Sequence, residues 1–227
     1  MHKSNWDDLR FVLAHAEQAE AAMLAAAEDL GDSHRQAAGH VCLTAVPFVI
    51  NHLLLPGLPD LLQRYPAIEL ELMADADNLR LADRQADLAL RLARPVEESR
   101  MLTRKICDLP CGLYRHRDAE PAQAERWIVY TEAMAHLPHA AWLNAQVRAG
   151  GEVPVRVNDM ETALQLLGRG IGRSLLPCRI GDAVADLQRL PAECSSAARE
   201  LWLVIHPDRR DLARVRAVVD WLQTCLA

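Results

Sequence analysis

At 227 residues, with 51% hydrophobic and 25% charged residues, the chain is long enough to bury a sizeable core in one large domain or two modest lobes. A formal net charge of -6 argues against a basic phosphate-binding face, and an aromatic content of only 4% beside abundant Ala and Leu argues against an all-β sandwich. No run approaches the roughly 18 apolar residues of a membrane span, and the opening MHKSNWDDLRF places acids where a signal peptide needs an apolar core, so a cytoplasmic protein is expected.

Residues 6–30 lack Gly and Pro and predict one long helix. Leu9, Val12, Ala16, Ala19, Met23, Ala26 and Leu30 recur at alternating spacings of three and four, a heptad seam suited to pairing with a second copy or to packing on the same domain. Residues 31–39 read as a helix stop and linker. A strand is expected at 39–45, then a helix over 48–65 interrupted by Pro56, Gly57 and Pro59, a strand at 68–73, a short helix at 78–84 and a strand at 86–92. Residues 102–115 form a long extended stretch in which Pro110 implies a sheet edge or a crossing between lobes. Strands follow at 127–130, 153–157, 174–176 and 200–206. Helices are expected at 138–149, closed by Gly150 and Gly151, at 160–167, capped by Asn158 and Asp159, and at 212–226. Strands alternating with helices imply α/β layering with mainly parallel sheets.

Catalytic and metal signals are weak. His136 and His139 have no carboxylate or cysteine set at metal-site spacing, and Pro138 lies between them, so no metal and no cofactor are expected. Gly168, Gly170 and Gly172 follow a helix rather than joining a strand to one, unlike a nucleotide-binding turn. The cysteines Cys42, Cys107, Cys111, Cys178, Cys194 and Cys225 form no C-x-x-C pair and read as reduced and buried, with a Cys107–Cys111 redox pair as the alternative.

Residues 155–163 (VRVNDMETA), continuing through GIG at 170–172 to LLP at 175–177, resemble the effector domain of LysR-type transcription regulators. The stretches GHVCL at 39–43, ADLALR at 86–91, LWLVIHP at 201–207 and VRAVVDWL at 215–222 match the same family in order and spacing across roughly 190 residues. The resemblance implies a two-lobed α/β fold like that of the type 2 periplasmic binding proteins, preceded by the long N-terminal helix. It divides the chain into residues 1–38, a remnant of the DNA-binding domain plus a dimerisation helix, and an effector-binding domain over 39–227. Lobe one would hold about 39–107 and 206–227, lobe two about 108–205, with crossings near 107–111 and 203–206. At the front, NWDDLRFVLA at 5–14 looks like the opening helix of the family's winged helix-turn-helix. From His15 onward the chain already looks like the linker helix, so the recognition helix is missing. Up to residue 38, Lys3, Arg10 and Arg35 face Asp7, Asp8, Glu17, Glu20, Glu28, Asp29 and Asp32, which also makes direct DNA binding doubtful.

The family likeness implies a ligand cleft outside the carboxyl ends of strands. The candidate effector-binding residues are Ala45, Val46 and Phe48 at the first strand–helix junction, Arg91, Tyr130 and Thr131 at two further strand ends, and Asn158 and Asp159 with the Gly170 turn. The family's Ser or Thr in the first loop is replaced here by Ala45-Val46-Pro47, which leaves room for a more apolar ligand than a small organic acid. Each candidate has a structural alternative. Arg91 could pair with Asp87, Tyr130 could be a core residue with a satisfied hydroxyl, and Asn158 and Asp159 could simply cap a helix. The expected function is effector sensing by a regulator module that does not bind DNA alone and forms a homodimer or higher oligomer. The alternatives are a stand-alone small-molecule binder or a heterodimer partner of an intact LysR-type regulator, and, further off, an intact DNA-binding regulator or an enzyme.

Overall fold

The computed structural model describes residues 37–74, 86–95 and 101–226. The expected N-terminal helix with its Leu9–Leu30 seam, and the expected short helix at 78–84, lie outside the described residues.

The first sheet has five strands. β1 (Gly39–Ala45) lies between β2 (Ile68–Ala74) and β3 (Leu88–Arg91), parallel to both. Covered on both faces, β1 and β3 are apolar almost throughout, so Val41 to Ala45 and all four residues of β3 are buried. β2 is the edge, and its Glu69 and Glu71 are exposed. β4 (Leu102–Leu109) forms the opposite edge and is largely exposed.

The chain leaves this sheet at Pro110. β5 (Cys111–His116) belongs to a second sheet, between β8 (Arg173–Pro177) and β9 (Leu187–Leu190), antiparallel to both. A proline between β4 and β5 costs the ladder nothing, because the strand changes sheets there. β6 (Ile128–Tyr130) and β7 (Val155–Val157) form a parallel pair joined to β8 through a bridge between Trp127 and Arg173 and a bond from Ser174 Oγ to the Ile128 carbonyl, 2.8 Å. β10 (Arg199–Ile205) returns to the first sheet and pairs antiparallel with β3 and β4.

Two expectations are corrected. The sheets are mixed rather than mainly parallel, because strands that carry the chain between two sheets must reverse direction. The return crossing does not lie at 203–206. β10 is paired in the first sheet along its whole length, so the chain comes back between Leu190 and Arg199.

The stretch after β1 is helical throughout but changes pitch. It runs as α1 (Pro47–Val49), a π turn (Ile50–Leu54), a 3-10 turn (Leu55–Gly57) and α2 (Leu58–Arg64). Pro47 stands at the first helical position, where its missing N–H costs nothing. Pro56 cannot donate to an i−4 carbonyl, and the Leu55 N–H reaches back five residues to Ile50 instead. Four helices follow: α3 (Pro121–Ala124), α4 (Pro138–Ala149), α5 (Met160–Gly168) and α6 (Cys178–Gly181). The closing α7 (Ala213–Leu226) lies on β1 and the π turn, held by bonds from Arg214 to His40 and from Trp221 to Gly57. Gly57 is required by that approach, since a Cβ there would stand 2.5 Å from Cys225 Sγ.

Candidate functional site

Because β1 and β3 are parallel, Ala45 and Arg91 leave the first sheet on the same edge. The parallel pair β6 and β7 likewise brings Tyr130 and Val157 to one edge of the second body. These two carboxyl edges face one another. Asn51 and His52, on the π turn after β1, reach Glu161 in the first turn of α5 at 3.4 and 3.0 Å. All three residues are at least partly open to solvent, so this contact forms the exposed rim where the two bodies meet.

Deeper between the two bodies the side chains are buried. Arg199, at the head of β10, directs Nε and Nη2 to the Leu92 carbonyl just past β3, at 3.0 and 2.8 Å, and Nη1 to His139 Nδ1 at 3.2 Å. An arginine can only donate, so His139 Nδ1 accepts and a neutral ring carries its proton on Nε2. Burial, reinforced by the Arg199 charge, holds the His139 imidazole down at about 3, which keeps the ring neutral. Burial also lowers the Arg199 pKa. The Tyr130 and His139 rings cross nearly at right angles, 4.5 Å between centroids. Burial pushes the Tyr130 phenol far above its usual value.

The sequence candidates divide accordingly. Ala45 and Phe48 lie at the cleft edge of the first sheet, but their side chains are buried; Val46 is half-buried and its carbonyl accepts from Val49 and Ile50. Arg91 is buried at its strand end, and it does not take Asp87, whose carboxylate serves the Cys42 N–H at 2.9 Å and Arg209 at 3.5 Å. Tyr130 is wholly buried, yet among the described residues its hydroxyl finds no partner, contrary to the satisfied-core alternative. Thr131 is half-buried and donates its N–H to Val157, 2.8 Å, tying the two strand ends. Asp159 is a helix cap, its two oxygens accepting from Thr162 N and Oγ1 at 2.8 and 2.7 Å, and Asn158 beside it is exposed. Gly170 lies past the far end of α5, packed on His116 and Ala119, where its φ of 69° closes the helix.

Sequence reasoning missed Arg199, His52 and Glu161, and weighed His139 only as a metal ligand. None of them carries a motif; each is placed by contacts more than 50 residues away in sequence. The Cys107–Cys111 idea also changes. Burial pushes the Cys111 thiol up to about 12, with Cys178 and Cys194 as its thiol neighbours, while Cys194 Sγ bonds the Cys111 carbonyl at 3.2 Å. Among the described residues no group of three or more His, Cys, Asp or Glu is arranged to hold a metal, and no helix is long and apolar enough to cross a membrane.

Comparison with known proteins agrees with this geometry. Residues 34–227 match the family model of the LysR substrate binding domain. The chain is 28% identical over 184 residues to the Mau operon transcriptional activator of Paracoccus denitrificans, covering 79% of this chain and 62% of that protein's length. The regulatory domain of CrgA, a LysR-type transcriptional regulator from Neisseria meningitidis, superposes with a TM-score of 0.67 at 21% identity, over 84% of this chain and 100% of that one. The CcmR regulatory domain from Synechocystis PCC6803, solved in complex with 2-PG, gives 0.63 at 17% identity, over 83% and 97%. These structural likenesses establish the two-lobed, periplasmic-binding-protein-like fold. Through the match over residues 34–227, the chain belongs to the LysR-type regulators by way of their substrate-binding domain.

Proposed function

We propose that this domain is an effector sensor that binds a small molecule between its two lobes and converts occupancy into lobe closure. The family is one of regulators rather than enzymes. The observation that carries the reading is the meeting of two carboxyl strand edges, from separate sheets, across a cleft already bridged at its rim by His52 and Glu161. In this reading the lobes are residues 39–109 with 199–226, and 111–190. A ligand in the CcmR likeness, named there as 2-PG, supports a small-molecule occupant here. A thermal-shift screen of organic acids, amino acids and apolar metabolites tests the proposal. A ligand at a hundred times its Kd adds about 2.7 kcal/mol, or roughly 2–4 °C for each kcal/mol in a chain of this size. The shift should shrink in Arg91→Ala and Thr131→Val. A hit untouched by either change would place the ligand elsewhere, and no hit at all would remove the sensing role.

A second reading, pairing with another copy or with an intact regulator, is favoured by Leu55 and Leu62. Both are exposed on the helical stretch after β1. Subunit exchange followed by size-exclusion chromatography tests it, and a strictly monomeric protein would end it. We assign no DNA contact to residues 1–38, since they carry seven acids against three bases. Salt-dependent, sequence-selective DNA binding by the pure protein would reverse that assignment.

A further inference from the structure

A hollow of about 460 Å3 lies on the second body, lined by Tyr130, Glu132, Ala135, Asn144, Arg148 and Arg156. Small-molecule sites span roughly 300–1,000 Å3. Every lining residue falls between β5 and β8 in the chain, so the hollow is complete within one lobe and takes nothing from the first sheet. Its charged and amide groups converge from three elements. Glu132 opens the 3-10 turn Glu132–Met134. Asn144 and Arg148 stand one turn apart on one face of α4. Arg156 is the exposed residue of β7 beside buried Val157, on the opposite side of the strand.

The fold makes no use of these groups. Elsewhere a helix arginine pairs with an acid one turn back, as Arg64 does with Asp60 at 3.0 Å, or bonds a carbonyl there, as Arg169 does with Gln165 at 2.8 Å. Among the described residues Arg148 and Arg156 do neither, and the side chains of Glu132 and Asn144 have no hydrogen-bond or ion-pair partner. A second hollow, against α7, is built differently. There Trp221 and Cys225 already bond the Gly57 and Leu53 carbonyls, and Arg179 bonds those of Cys225 and Leu226. Two uncommitted guanidiniums suit a carboxylate, which their planar forks grip with paired bonds. Glu132 repels a ligand that is only anionic and offers an acceptor to an ammonium group. We propose that the hollow on the second body binds a zwitterion of the α-amino-acid class. Its carboxylate lies on Arg148 and Arg156, and its ammonium donates to Glu132 and to the side-chain carbonyl of Asn144. This site is separate from the one between the lobes, and it fills without lobe closure because a single lobe supplies all of it.

The test titrates the full chain calorimetrically with the common L-amino acids at millimolar concentration. Each hit is compared with its N-acetyl derivative, which lacks the ammonium, and with its carboxamide, which lacks the carboxylate. At least one free amino acid is expected to bind saturably, and either derivative should bind at least about tenfold more weakly, since each loses a charge-assisted contact. Arg148→Gln and Arg156→Gln should each weaken binding about tenfold, and the double variant should abolish it. Both arginines are exposed, so these variants keep the fold. Derivatives binding as tightly as the free amino acid, binding that survives in the double variant, or no binding by any member of the panel would each overturn the inference. A hit removed by Arg91→Ala and retained by the double variant belongs between the lobes, which overturns this site and leaves the sensing role standing.

Discussion

Two histidines join the two lobes, and they do so in different solvents. His52 meets Glu161 at the rim, where the two side chains keep 26% and 28% of their exposure. His139 meets Arg199 on the floor, where the imidazole is 1% exposed. At the rim, water and salt screen the contact, so it contributes little stability. On the floor, desolvation fixes the charge states in advance: the imidazole is neutral, the guanidinium remains charged, and the polar hydrogens are left pointing inward. The same residue type is therefore a screened surface contact in one place and a neutral, buried ring of fixed tautomer in the other.

Acid should separate them most strongly. The folded pKa of His139 is depressed to about 3 from an ordinary 6.5, so the unfolded chain takes up this proton first. The stability it contributes is complete above pH 6.5 and is lost as the pH falls toward 3, at up to about 1.4 kcal/mol per pH unit. Between pH 6.5 and 4.5, urea melts of the wild type should lose roughly 2–3 kcal/mol more than those of His139→Gln. Equal acid slopes would show that water reaches His139 in the folded protein.

The next largest effect concerns Arg199, which is buried with no carboxylate within ion-pair distance among the described residues. Breaking a buried ion pair ordinarily costs about 3–5 kcal/mol, but Arg199 has no acid to abandon. Without ligand, Arg199→Met should change stability by less than about 1 kcal/mol, the relief of an uncompensated charge offsetting the three lost hydrogen bonds. A full ion-pair cost in the ligand-free protein would mean that a carboxylate is engaged after all. At the rim, His52→Ala should cost about 0.5 kcal/mol at low salt and less at high salt, while weakening any ligand-induced compaction seen by small-angle scattering. The smallest effect is a null one. Cys111, with its thiol raised to about 12, should resist iodoacetamide at pH 7.5 until the protein is unfolded. Rapid labelling in the folded state would reopen a redox role.

The rim and floor were not equally legible in the sequence, nor were the elements that carry them. The helix Pro138–Ala149 could be bounded to the residue, because Pro138 starts it and Gly150, with φ of 135°, ends it. Asp159 could be read as a cap from its place before an amphipathic run. Local chemistry decides such features. The return crossing could not be read, because RELWLVI alternates in the same way in whichever sheet receives it, and pairing with residues about 100 positions earlier decides the question. β9 and α6, four residues each, were too short to give a period. The cleft followed the same division. The strand ends were visible, but Gly170 was drawn in by its closeness in sequence to Asp159 although a whole helix separates them, and Arg199 looked like an ordinary charged residue opening a strand.

The π turn at Ile50–Leu54 has a consequence for how this protein tolerates change. It holds one residue more than an α-helix of the same rise would need, and Asn51 and His52 sit within it. Removing one residue there would let the i to i−4 pattern resume with the flanking turns still in phase, whereas the same deletion in a regular α-helix would turn one side relative to the other by about 100°. The segment therefore has a place where a single deletion keeps Leu58–Arg64 in register, at the expense of the bulged residues that reach Glu161.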